Sequence, residues 1–135
     1  MPEKKEESLL LKSHRRSEHP FTMFDSIHES PGILEGCLKD KVIKAVNKAA
    51  DEITNRGIDN IVFTGTGTSY FSGLVGEYGL NEMADMQGSH ITSHEFCNYV
   101  PAGFGKNSAL VSISHSGHTL AGTKANKLAQ SLGAL

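Results

Sequence analysis

Tryptophan is absent, prolines number four and cysteines two in this chain of 135 residues. Apolar residues make up 38% and aromatics 7%, enough for a core but a thin one that a partner surface would complete. No apolar stretch is long enough for a membrane span or the middle of an export signal, and the start, Met1-Pro-Glu-Lys-Lys-Glu-Glu, is polar. With Cys37 and Cys97 sixty positions apart, these features predict a cytoplasmic protein with reduced thiols. The length fits one domain. Thirteen Lys and Arg against fifteen Asp and Glu leave a net charge of −2, which argues against nucleic acid as a partner. Between Arg56 and Lys106 there is no Lys or Arg at all. An anion bound by that stretch must be held by backbone N–H groups, hydroxyls and helix N-termini.

Residues 1–20 carry five basic and four acidic side chains, with Leu9, Leu10 and Leu11 as their one apolar run. They read as a flexible charged arm, because little burial offsets their ordering entropy. Residues 21–135 read as the folded domain. From Phe21 to Leu38 the apolar residues surround Pro31-Gly32, which predicts two short helical pieces around a break. Val42, Val46, Ala49, Ala50 and Ile53 keep a helical spacing from Asp40 to the stop at Gly57, about four turns.

Ile61–Thr64 is too short for a helix and apolar on both faces, the pattern of a buried parallel strand. Helical spacing resumes from Phe71 to about Ala84, with Tyr70, Phe71 and Tyr78 expected in the core. A weak strand follows at Ser89–Thr92, a third at Ala109–Ile113, and a last helix from Leu120 to Gly133. The alternation predicts an α/β fold, a partial doubly wound parallel sheet with flanking helices, for which the flavodoxin-like strand order 2-1-3 is the expectation.

That order brings two hydroxyl-rich turns side by side at the carboxyl ends of adjacent strands, where such sheets bind ligands. The first is Gly65-Thr66-Gly67-Thr68-Ser69 and the second Ser114-His115-Ser116-Gly117-His118-Thr119. Each opens a helix, and together they form a phosphate cradle without cations. Neither nucleotide fingerprint fits: Tyr70 stands where G-x-G-x-x-G needs its third glycine, and no G-x-x-x-x-G-K-[ST] run exists.

Thr64–Gly73 (TGTGTSYFSG), Ser93–Phe96 (SHEF) and Ser114–Thr123 (SHSGHTLAGT) resemble the sugar isomerase (SIS) domain of the glutamine–fructose-6-phosphate amidotransferase family. The stretch His19-Pro-Phe-Thr-Met23 with Ile27, Glu29 and Pro31 is similar to the segment leading into that isomerase half. The resemblance implies that Thr66, Gly67, Thr68 and Ser69 contact a sugar phosphate. It implies the same for Ser114, His115, Ser116, Gly117 and Thr119, whose hydroxyls would bind phosphate oxygens. Three positions depart from the family pattern: Thr66 replaces cysteine, His115 glutamine and His118 glutamate. The family's amidotransferase nucleophile and its downstream catalytic half have no counterpart in these 135 residues, so the resemblance implies phosphosugar binding without assigning catalytic residues.

Two further readings remain open. One is an oligomeric phosphosugar aldose–ketose isomerase in which Glu82, Glu95 or His118 moves the proton. The other is a non-catalytic subunit that pairs with a fuller SIS chain, or with itself. His90, His94 and Cys97 have a spacing that could ligate a metal, but surface or packing roles are expected for them. Neither cofactor nor metal is expected, and the partners expected are a phosphosugar and another SIS chain rather than nucleic acid or a membrane.

Overall fold

The computed structural model describes residues 18, 19 and 21–135. The charged arm expected over 1–20 lies, apart from Glu18 and His19, outside the described residues. The chain divides into two compact units, Met1–Asn47 and Lys48–Leu135.

The first unit contains α1 (Phe21–Cys37) and the first half of α2 (Asp40–Asn55). Here α1 is one helix and not two pieces, with Pro31 inside it. Proline has no N–H to offer the Ile27 carbonyl, but both residues are exposed, so water can satisfy that carbonyl and the helix continues.

The second unit begins within α2 and holds β1 (Asn60–Gly65), α3 (Thr68–Met83), β2 (Gln87–Thr92), α4 (Ser93–Asn98), β3 (Ser108–Ser112) and α5 (Leu120–Ser131). Gly57 closes α2 at φ +63°, the left-handed position that glycine takes without a Cβ clash. The three strands form a parallel sheet in the order β2-β1-β3, as expected. Ile61 pairs with Gly88 on one side and Ala109 on the other. β3 also carries the backbone of Leu135 on its far side, since Leu135 N–H donates to the Ser108 carbonyl and Leu110 N–H to the Leu135 carbonyl.

Alternation along the strands gives the sheet two apolar faces. Val62 joins Phe96, Phe104, Ala125 and Ala129 on one face, while Ile61 and Ala109 join Ile58 on the other. Phe96 anchors the first: it is fully buried and meets Phe104 edge-on at 5.0 Å between ring centroids. It belongs to α4, a helix that the spacing of apolar residues does not predict. Its start is written instead in a capping box, with Thr92 Oγ1 accepting from Glu95 N–H and the Glu95 carboxylate accepting from Thr92 N–H.

The orientation of α3 corrects the expectation that Phe71 and Tyr78 are core residues. They are 62% and 63% exposed, and Tyr70 is half-buried. The helix docks instead through Gly73 and Gly76, which rest on Phe63; a Cβ at Gly76 would stand 2.7 Å from that ring. Small residues let the helix approach the sheet closely, so the bulky stripe faces outward.

Candidate phosphate-binding edge

All three helices that follow a strand begin at the same edge of the sheet. Gly65, Thr92 and Ser112 end their strands there, with Gly65 opposite Thr92 and Thr64 opposite Ser112. Ile113 N–H donates to the Thr64 carbonyl at 2.8 Å, which keeps β1 and β3 paired up to the point where their loops leave. A second tie holds the third helix: the buried hydroxyl of Thr64 donates to Ser93 Oγ at 3.1 Å, joining β1 to the start of α4.

The loop after β1 is shaped by two glycines. A Cβ on Gly65 would fall 2.5 Å from the Ser69 carbonyl carbon, so the turn can fold tightly over the strand end only with glycine there. Gly67 sits at φ 61°, ψ −127° and precedes α3 with no side-chain cap, a backbone conformation that side chains disfavour. Thr66, Gly67 and Thr68 are exposed and Ser69 half-buried. Tyr70 N–H turns back to the Gly67 carbonyl. The N–H groups of Thr68 and Ser69 therefore stand at an open helix start.

The loop after β3 is held by its own hydroxyls. Ser114 Oγ lies 3.0 Å from Thr119 Oγ1 and accepts from Gly117 N–H at 3.1 Å, while Ser116 Oγ accepts from His118 N–H at 3.2 Å. Gly117 takes φ 70°. Thr119 is the residue before α5, yet its side chain does not cap the helix, because its hydroxyl is turned to Ser114. Ser114, Gly117 and Thr119 line a cavity of about 140 Å³ together with Ser112, Gly122 and Asn126. His115, Ser116 and His118 are exposed and lie outside the lining of that cavity, as do Thr66, Gly67, Thr68 and Ser69. The topology thus sets the two predicted loops at one sheet edge, while the cavity belongs to the second loop and the start of α5. Gly122 and Asn126 were not singled out by sequence; they lie within the first and second turns of α5, where only the three-dimensional path of the helix returns them to the loop.

Glu95, considered above as a proton-moving base, is the capping residue of α4, its carboxylate 2.8 Å from Thr92 Oγ1. Glu82 is exposed in the last turn of α3, at the opposite end of that helix from the edge. His90, His94 and Cys97 have separate surroundings. His90 Nδ1 meets the Glu77 carboxylate, and its ring packs against Tyr70 at 4.8 Å between centroids. His94 is exposed, and the Cys97 thiol points to the Ala121 carbonyl at 3.7 Å.

Residues 55–135 match the family described as the SIS domain. The chain belongs to that family. It is similar to the isomerizing glutamine–fructose-6-phosphate aminotransferase of Aeropyrum pernix, 32% identical over 111 residues that cover 79% of this chain and 17% of that protein. The enzyme of the same name from Xylella fastidiosa strain 9a5c is 30% identical over 128 residues, 91% of this chain and 21% of that protein. The SIS chain therefore spans about a fifth of these relatives' length. Among solved structures it is similar to an assigned phosphosugar isomerase from Salmonella typhimurium LT2, with 30% identity and a TM-score of 0.59 over 64% of this chain and 27% of that one. The tagatose-6-phosphate ketose/aldose isomerase of Escherichia coli shares the fold, with a TM-score of 0.59 at 21% identity over 69% of this chain and 26% of that one. No helix among the described residues is long and apolar enough to cross a membrane.

Proposed function

We propose that this SIS domain binds a phosphosugar of the fructose 6-phosphate or glucosamine 6-phosphate type at the edge where α3 and α5 begin. One contrast carries the reading. Of the three helix starts on that edge, α4 carries a capping box that sets the Glu95 carboxylate beside it, whereas α3 and α5 have no side-chain cap. Those two follow the hydroxyl-rich loops. Uncapped N–H groups carry partial positive charge and bind an anion, which suits the first loop, set in a stretch of chain without Lys or Arg from 57 to 105. In this reading Thr66, Gly67, Thr68 and Ser69 approach the ligand from one loop, and Ser114, His115, Ser116, Gly117 and Thr119 from the other.

The relatives by name act on fructose 6-phosphate and a structural neighbour is assigned as a phosphosugar isomerase, and both support a phosphosugar over other phosphate esters. Binding rather than isomerisation is the reading favoured here. Glu95 is occupied as a cap, Glu82 lies at the far end of α3, and His118 alone stays near the phosphate loops. Self-association, or pairing with a fuller SIS chain, belongs to the same proposal.

Calorimetric titration of the chain with fructose 6-phosphate and with glucosamine 6-phosphate tests it. Saturable heat with either ligand supports the reading. Folded protein giving no heat at millimolar ligand contradicts it.

A further inference from the structure

A second cavity, of about 280 Å³, opens between α4 and α5. His94, Cys97 and Asn98 line it from α4, and Thr119, Ala121 and Lys124 from the start of α5. Thr119 lines both this cavity and the smaller one at the second loop, so the two open on either side of one residue. A ligand seated by its phosphate at the loop can extend past Thr119 into the larger space, which by itself approaches the lower limit of about 300 Å³ for small-molecule sites.

The polar groups of the lining divide into two kinds. Asn98 Nδ2 donates to the His94 carbonyl at 2.8 Å, the Cys97 thiol is turned to the Ala121 carbonyl, and the Thr119 hydroxyl to Ser114. Those are already engaged. The Lys124 ammonium and the His94 imidazole, by contrast, have no ion pair or hydrogen bond among the described residues. No carboxylate lines the cavity, and the neighbouring Glu95 is committed to Thr92. Lys124 and His94 therefore line one space, both exposed and without a protein partner among the described residues. Both side chains are solvated there; a sugar hydroxyl gives Lys124 only a neutral partner, whereas a carboxylate would pair with it and accept from His94.

We propose that the cavity between α4 and α5 is a subsite for a carboxylate carried by the bound phosphosugar, with Lys124 and His94 as its ligands. The ligand class is then a sugar-acid phosphate, bearing phosphate at one end and carboxylate at the other. This inference rests on the phosphate-binding reading above and extends its ligands from fructose 6-phosphate and glucosamine 6-phosphate to sugar-acid phosphates.

Calorimetric titrations of the chain with gluconate 6-phosphate and glucose 6-phosphate, at one pH and ionic strength, separate the two claims. Gluconate 6-phosphate is expected to bind about fivefold more tightly, the upper range for a partly exposed ion pair. Lys124→Met should remove that preference while leaving glucose 6-phosphate affinity unchanged, His94→Gln should reduce it, and Lys127→Met, on the same helix but outside the cavity, should preserve it. Equal affinities in the unaltered chain, or a preference that survives Lys124→Met, overturn the subsite and leave the phosphate site standing. No binding of either ligand overturns both.

Discussion

The hydroxyls of Ser114 and Thr119 stand 3.0 Å apart, and that pairing turns Thr119 away from the helix it precedes. Threonine in this place is a good cap and would ordinarily cover one of the free N–H groups of the first turn. Here Ser114 engages it instead, and the start of α5 stays open beside a small polar cavity.

Substitution of Ser114 by alanine releases Thr119 to cap α5 and removes a hydroxyl from the cavity. Fructose 6-phosphate affinity should fall about tenfold, the effect of losing one hydrogen bond to a charged group. Calorimetry measures this, and the thermal midpoint should hold or rise slightly. An unchanged affinity would show that the second loop does not touch the ligand.

At α4 the opposite result is expected. Thr92→Ala breaks the capping box with Glu95 and should cost about 1 kcal/mol of stability, read from urea unfolding. Phosphosugar affinity should not change, because the Glu95 carboxylate already stands at that helix start and repels an anion.

The Thr64–Ser93 hydrogen bond is buried, both side chains being 1% exposed. Thr64→Val leaves the Ser93 hydroxyl without its donor and should destabilise the domain by about 1–3 kcal/mol. Adding Ser93→Ala should recover part of that loss, since an apolar pair has no unmet partner. Chemical denaturation of the single and double variants gives the coupling directly; strictly additive losses would mean that the bond contributes nothing.

Gly76→Val places a side chain where the Phe63 ring already stands, and should lower stability by about 1–3 kcal/mol. Phe71→Ser, on the outward face of the same helix, should leave stability nearly unchanged, as expected of a surface substitution. The reverse order of effects in thermal unfolding would mean that α3 docks through its bulky stripe after all.

That helix also shows where sequence reading succeeds and where it stops. Ile61–Thr64 and Ala109–Ile113 are apolar on both faces and too short for helices, so the parallel strands follow from pattern, while their order does not and rests on the fold type. The two loops were legible because each couples glycine with hydroxyls between a strand and a helix. The face of α3 was not, because its contact residues are glycines and apolar periodicity counts only the side chains that protrude. α4 is six residues long and offers no period to read, although Thr92 and Glu95 at the spacing of a capping box do mark its start. Pro31 predicted a break that an exposed helix could absorb. The free state of Lys124 and His94 is a matter of what other groups do in space, and no spacing in the sequence reports it.

Amide chemical shifts of the nitrogen-15-labelled chain, followed during titration with fructose 6-phosphate, test most directly whether the two uncapped helix starts grip one phosphate. The account predicts that Thr68, Ser69, Leu120 and Ala121 shift along a single saturation curve while Ser93 and His94 N–H, at the capped α4, move little. Shifts confined to one loop, or largest at Ser93 to Glu95, would contradict it.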